Sequence, residues 1–321
     1  MTQSNASRWQ GEHWAEFVVD LEAQGIEVRQ SKAVCGVYIT DAGGLGYGLP
    51  HGVVVARNVE QIAALMKSAQ QFAVPVTVRG GGLTTEGESV AYGGMLLDMT
   101  GMSRVLHIDK EQRTVRTQAG IFWHHLAEVL RREALDYVSA PLNLTSSVGG
   151  TLGVGGIDVN SSKHGCSADQ ALALLVVTPT GEIVECSDTQ NSTLFARVIL
   201  GYGQFGIIVE ATMRIRPYTP LRMHYFYYSS LKPCVEDLIM LDKSQTCDYT
   251  GILTMMDSAI TLLVAFDSDE REAAFFAEQK KNLRGYGEFG FAVRLAVSFS
   301  WRPWKWREAL FLLRRKRELF P

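Results

Sequence analysis

The sequence predicts an α+β protein of two domains, and three observations predict it. Residues 53–84 read as strand, helix and strand, and end in Gly80-Gly81-Gly82 followed by Leu83, Thr84 and Thr85. A second glycine-rich stretch, Ser146 to Ile157, falls among further strand and helix patterns. After Pro217 and Pro220 the composition shifts to the aromatic run Met223-His224-Tyr225-Phe226-Tyr227-Tyr228, which sets a boundary near residue 221.

A chain of 321 residues is long enough for two domains. With 46% hydrophobic and 20% charged residues it can bury a sizeable core. A net charge of -3 gives no electrostatic reason to expect nucleic acid as a partner. The five cysteines (Cys35, Cys166, Cys186, Cys234, Cys247) are scattered and form no CxxC pair, which reads as reduced thiols rather than a disulfide framework or zinc site. The first residues, Met1 to Trp9, hold no apolar signal-peptide core, and no run of about 18 apolar residues occurs. The expectation is a soluble, cytoplasmic protein.

Taken in order, residues 8–30 carry Trp14, Phe17, Val18 and Leu21 at helical spacing and predict one helix within an N-terminal segment, 1–40. Asp41 to Pro50 holds four glycines, too flexible for a regular element. Val53-Val54-Val55-Ala56 predicts a buried strand. Asn58 then stands at an N-cap with Gln61 three residues on, ahead of a helix on Ile62, Leu65, Met66, Ala69 and Phe72. Val74, Val76 and Val78 alternate into the three glycines. Glycine costs stability unless the backbone needs positive φ or close approach. Three at a strand end expose successive amides, a concave anion site for a phosphate or pyrophosphate; a tight turn between strands is the alternative.

Met95 to Asp98 and Thr114 to Thr117 read as strands, and Phe122 to Glu133 as a helix with Trp123, Leu126, Val129 and Leu130 on one face. Ser146 to Ile157 has five glycines in twelve residues, a composition that opposes helix or central strand. It is expected to be a loop pressed against a ligand, since the interleaved Val148, Leu152, Val154 and Ile157 oppose a free linker. Residues 171–178 and 183–186 predict a hairpin about Pro179-Thr180-Gly181-Glu182. Asn191 to Val198 predicts a short helix capped by Asn191 or Ser192. Gly201-Tyr202-Gly203-Gln204-Phe205-Gly206 matches G-x-G-x-x-G by letter, but a helix precedes it and the β-branched Ile207-Ile208-Val209 follows. The dinucleotide fingerprint needs the opposite order, which rejects a nicotinamide site. Beyond 221, helices are expected at 232–242 and 270–283, with two strands over 252–266 split near Asp257-Ser258.

Several segments resemble one superfamily in register. They are the strand and helix from Val53, Val78-Arg79-Gly80-Gly81-Gly82, Leu97-Asp98-Met99 before Ile108-Asp109, Ala119-Gly120, Val148-Gly149-Gly150-Thr151-Leu152, Thr180-Gly181-Glu182 and Gly203-Gln204-Phe205-Gly206-Ile207-Ile208. Together they resemble the FAD-binding (PCMH-type) domain of the vanillyl-alcohol oxidase and p-cresol methylhydroxylase superfamily. Asp41-x-Gly43 ahead of Pro50-x-x-Val53, and the Val148 motif ahead of Lys163-His164-Gly165, resemble its cytokinin dehydrogenase branch. The resemblance implies a two-subdomain FAD-binding domain over 41–220 and a smaller α+β substrate domain, partial by comparison, over 221–321. It implies FAD as cofactor, with Val78, Gly80, Gly81, Gly82, Leu83 and Thr84 around the pyrophosphate. Ser147, Gly150, Thr151, Gly153 and Ile157 would line the other side, and Ile208 would lie near the adenine.

The departures from that family are informative. Leu83 stands where many members carry a flavin-linking histidine, and Thr145 where others carry a cysteine, so the flavin is expected to be non-covalent. Leu142 stands where cytokinin dehydrogenases carry an aspartate base, and leucine cannot serve. Members also run longer, and their last segment returns to finish the flavin pocket, so this chain reads as a short form, a fragment or half of a split protein, the last two implying a partner segment or chain that completes the pocket. The implied activity is hydride transfer from a small amine or alcohol to flavin N5; a flavin- or ligand-binding protein without turnover is the alternative. No catalytic base is assigned: His164 is a candidate, a backbone-bonding loop histidine being the other reading. His124 and His125, adjacent on a helix, do not share a face, and no metal is expected. The aromatic and basic stretch 301–317 reads as the last helix of the second domain or as a contact with an anionic membrane surface.

Overall fold

The computed structural model describes residues 9, 11–158, 161–254 and 260–288. The first layer begins with α1 (Trp14–Ala23), which buries Phe17, Val18 and Leu21. It is shorter than the helix expected over 8–30; the chain then runs on to Arg29, which bridges Val53. A one-turn α2 (Lys32–Cys35) follows, then β1 (Gly52–Val55), α3 (Val59–Gln71), β2 (Val76–Arg79) and β3 (Met95–Asp98). The side chain of Asn58 caps α3 by accepting the Gln61 amide at 2.8 Å, and Gln61 Oε1 in turn accepts the Arg57 amide at 2.9 Å. The three strands are parallel in the order β1-β3-β2, so β3 inserts between the two strands of the 53–84 unit. Its residues Met95, Leu96 and Leu97 are fully buried, as befits a central parallel strand covered on both faces.

The second layer is a six-stranded antiparallel sheet. Its elements are β4 (Val105–Asp109), β5 (Thr114–Gln118), α4 (Trp123–Arg132), β6 (Leu135–Tyr137), α5 (Val148–Val154), a one-turn α6 (Ser161–His164), β7 (Ala171–Val177), β8 (Ile183–Ser187), α7 (Ser192–Val198) and β9 (Ile207–Pro217). The strand order is β4-β5-β9-β7-β8, with β6 also on β9. The long β9 joins the two layers: Ile207 and Val209 pack into the core under α1 and α3, whereas Ile208, Ala211, Met213 and Ile215 pack with α4 and α5. The odd-numbered residues change sides after Val209 because the strand is irregular there: Leu175 pairs with Glu210 but Val176 with Ile208, and the extra residue of such a bulge turns the faces over.

Two expectations fail here. Ser146 to Ile157 contains a helix rather than a loop, because tertiary contacts outweigh glycine's penalty of about 1 kcal/mol per residue. Ser147 caps α5, Gly149 donates to Ala119 O at 2.7 Å, and Trp123 Nε1 donates to Thr151 Oγ1 at 2.9 Å. At the far end the amides of Leu200 and Tyr202 close the carbonyls of Leu152 and Gly153. Nor does the Asn191 side chain cap α7. Its backbone is left-handed at φ 48°, and its amide donates instead to Glu185 O at 2.7 Å.

A separate four-stranded antiparallel sheet, β11-β12-β10-β13, is built from β10 (Arg222–Tyr228), α8 (Leu231–Ser244), β11 (Tyr249–Thr254), β12 (Ile260–Phe266), α9 (Asp269–Ala274) and β13 (Tyr286–Glu288). Its own core joins Phe226, Tyr228, Leu241, Leu262, Val264, Phe266 and Phe275. The helix expected over 270–283 is α9 followed by a wider turn, Phe275–Gln279, and a tighter one, Lys280–Asn282. The basic stretch 301–317 lies outside the described residues. Among those described, no helix is long and apolar enough to cross a membrane.

Candidate functional site

A cavity of about 440 Å³ opens where the loop after β2, α5 and the start of β9 converge. This lies within the usual range of about 300–1,000 Å³ for cofactor pockets. Val78, Gly80, Gly81, Gly82, Leu83 and Thr84 line it on one side. Ser147, Gly150, Thr151 and Gly153 line it on another, and Ile208 contributes from β9. Ile157 alone of the twelve expected residues lies outside the lining, with its side chain 75% exposed. The two glycine stretches touch: a Cβ on Gly80 would overlap Ser147 Oγ, and one on Gly81 would stand 2.8 Å from Thr145 O. Glycine here serves close approach of two backbones.

The two stretches differ in what their amides do. Val148 and Gly149 donate to Ile121 O and Ala119 O, and Gly150 donates to Ser147 Oγ. By contrast, the amides of Gly81, Gly82, Leu83 and Thr84 donate to no described residue. Their carbonyls are held from behind, where Ala42 N bonds Gly82 O at 3.0 Å and Gly43 N bonds Thr84 O at 3.1 Å. Backbone donors at a cavity demand an acceptor, and four in succession suit an anion.

Asp41 organises this loop. Its carboxylate accepts Thr84 Oγ1 and Gly87 N, both at 2.8 Å, and Gly44 N at 3.3 Å. Burial alone would raise the Asp41 carboxyl, but these hydrogen bonds outweigh it and hold the group below its ordinary range. Beneath Gly82 lies the half-buried guanidinium of Arg79, which donates to Ser89 O at 3.3 Å and sits 5.7 Å from the Tyr38 ring centroid. Burial pulls the Arg79 pKa down from its ordinary value. It remains a cation, and so places positive charge behind the free amides.

The candidate base His164 is not in the lining. Partial burial, then the positive charges of Arg216 and Lys163, lower its pKa. His124 and His125 bring their rings within 4.1 Å of each other, and His124 Nδ1 pairs with Leu144 O. Among the described residues no group of three metal-ligating side chains forms. Leu142 is exposed, and the titratable side chains in the lining are Glu88 and Tyr202. Residues that sequence reasoning missed include Met99, Ala119, Asn143, Tyr202 and Gly203. The signal for the last two was present in Gly201 to Gly206: the rejected fingerprint letters mark the loop that closes α5.

A small parallel sheet and a larger antiparallel sheet, with a cavity of free amides at their junction, define an FAD-binding α+β fold of the PCMH type. Residues 50–187 match the family described as FAD binding domain, and FAD is the cofactor that this match indicates. The chain is 34% identical over 211 residues to an uncharacterized oxidoreductase of the fasciation locus of Rhodococcoides fascians, a match covering 65% of this chain and 48% of the relative. It is 32% identical over 214 residues to cytokinin dehydrogenase 1 of Arabidopsis thaliana, covering 62% and 36%. Among solved structures, an alkyldihydroxyacetonephosphate synthase superposes with a TM-score of 0.74 at 20% identity, over 85% of this chain and 65% of that one. The chain thus spans less than half the length of these curated relatives.

Proposed function

We propose that the chain is the FAD-binding part of an oxidoreductase that removes hydride from a small amine or alcohol, with the flavin held non-covalently. The observation that carries this reading is the row of free amides from Gly81 to Thr84, backed by Arg79. These residues would hold the pyrophosphate, with Val78, Gly80 and Ser147 packed beside it. Gly150, Thr151 and Gly153 would wall the cofactor, and Ile208 would lie against its adenine. When bound, the flavin supplies a hydride acceptor at N5. The protein's part is to bind, orient and exclude water. Neither Leu83 nor Thr145 carries the histidine or cysteine chemistry that attaches a flavin, which supports release without bond cleavage. The sheet from β10 onward is the substrate-side domain.

The purified protein is expected to show flavin absorbance, and acid precipitation is expected to leave FAD in the supernatant. A yellow pellet with a colourless supernatant would refute the non-covalent reading; a colourless protein that ignores micromolar FAD would refute the whole. A second reading, flavin binding without turnover, is favoured by Leu142, where a base would be needed and none stands. Anaerobic bleaching of the bound flavin by any amine or alcohol decides against that second reading.

A further inference from the structure

Tyr202 is a large aromatic left 57% exposed on the wall of the cavity. Its backbone is left-handed at φ 51°, and Leu200 two residues earlier is also left-handed at φ 57°. Side-chain-bearing residues avoid this region, and where they hold it the surroundings must fix them. The fixing contacts are visible: Leu200 N bonds Leu152 O at 3.0 Å and Tyr202 N bonds Gly153 O at 3.1 Å, both on the last turn of α5. Gln204 N closes the loop on Gly201 O at 3.0 Å. The loop is therefore pinned in a costly conformation that holds an aromatic ring at the cavity edge instead of burying it.

The position of this ring relative to the anion loop is set by α5. One end of α5 touches Gly80 through Ser147, and the other carries Tyr202 on Gly153. Six residue steps, from Ser147 to Gly153, at a helical rise of about 1.5 Å each separate the two contacts by about 9 Å. A phosphate and a planar ring joined through one sugar or sugar-alcohol unit can bridge such a span. We propose that Tyr202 is a stacking partner for one of the two planar rings of the bound dinucleotide. The inference rests on the proposed FAD site and adds to it a side chain whose aromatic face, not its backbone, contributes to affinity. Faces of heteroaromatic rings stack on tyrosine without regard to their hydrogen-bonding edges.

The test uses the full chain stripped of flavin and titrated with FAD, ADP and FMN, read by flavin fluorescence or heat. Y202A is expected to weaken FAD on the order of tenfold, the size typical of one base–aromatic stack. Y202F, which keeps the ring, is expected to stay within about twofold of the parent. Loss of ADP affinity in Y202A assigns the stack to adenine; loss of FMN affinity with ADP unchanged assigns it to the isoalloxazine. Y202L keeps bulk without a ring and serves should Y202A unfold. If the parent binds FAD and both Y202A and Y202L bind it equally well, the stacking role is wrong while the site stands. If the parent itself binds no FAD, the site reading falls and this inference with it.

Discussion

The Asp41 carboxylate accepts the Thr84 hydroxyl at 2.8 Å, across 43 residues of chain, and so holds the loop that lines the cavity without lining it itself. The same oxygen accepts the Gly87 amide, so one carboxylate fixes both ends of the turn that follows the three glycines. The shape of this loop is thus set by a residue outside the cavity lining.

D41N should therefore weaken FAD binding and lower stability together. Hydrogen bonds to a charged acceptor are each worth about 1.5–3 kcal/mol, so a loss of about 2 kcal/mol in unfolding free energy is expected. The pH dependence follows from the lowered carboxyl. Because the folded pKa lies below the ordinary 3.8, the unfolded chain binds the proton first as pH falls. The contribution is fully present above 3.8 and is lost as pH descends to the folded value. Thermal midpoints of parent and D41N between pH 7 and pH 3 should converge at the acid end; a constant gap would refute the assignment.

G80A tests the contact between the two glycine stretches. Its new methyl overlaps Ser147 Oγ, and overpacking of this kind costs about 1–3 kcal/mol. Weaker FAD binding and a lower midpoint are expected. Adding S147G removes the obstructing side chain and should restore part of the FAD affinity, even though it also removes the cap of α5. Equal affinities for G80A and the double variant would show that the two stretches do not press on each other.

Much of this arrangement was legible in the sequence. Asn58 and Gln61 announced the start of α3 because the cap is local, and the alternation of Val74, Val76 and Val78 announced β2 for the same reason. The glycines of 80–82 marked a loop with exposed amides, readable as an anion site or as a tight turn, and that loop does line the cavity. What the sequence hid was tertiary. No local pattern reveals that Trp123, Ala119 and Leu200 would stabilise a helix through Gly149, Gly150 and Gly153. Nor does any spacing reveal that β3 would insert between β1 and β2, or that Asp41 would reach Thr84.

T151V tests the hydroxyl on α5 that sequence reasoning missed, which accepts from Trp123 and donates to Ser146 Oγ at 3.2 Å. Trp123 is 1% exposed and its Nε1 donates to Thr151 Oγ1 at 2.9 Å. Valine keeps the volume and leaves that donor buried without an acceptor, at a cost of about 1–3 kcal/mol. The expected result is a lower thermal midpoint in the absence of FAD. An unchanged midpoint would mean that α5 is held by its other contacts alone.

The sheet that begins at β10 offers a last test, of whether it acts as a unit apart from the flavin site. Tyr228 is 5% exposed and donates its hydroxyl to Asp237 Oδ2 at 2.7 Å; Asp237 is 2% exposed and also accepts the Arg284 amide at 2.6 Å. Burial, then the neighbouring Asp237 carboxylate, raises the Tyr228 pKa, so the phenol stays protonated and keeps donating across the physiological range. Y228F removes this donor from a buried carboxylate and should cost about 1.5–3 kcal/mol. None of these residues lines the cavity, and Tyr228 belongs to the core of Phe226, Leu262 and Phe275 rather than to the cavity wall. FAD affinity in Y228F is therefore expected to match the parent while its calorimetric trace loses stability. Should FAD affinity fall in step with the midpoint, the sheet and the flavin site would have to unfold as one cooperative unit.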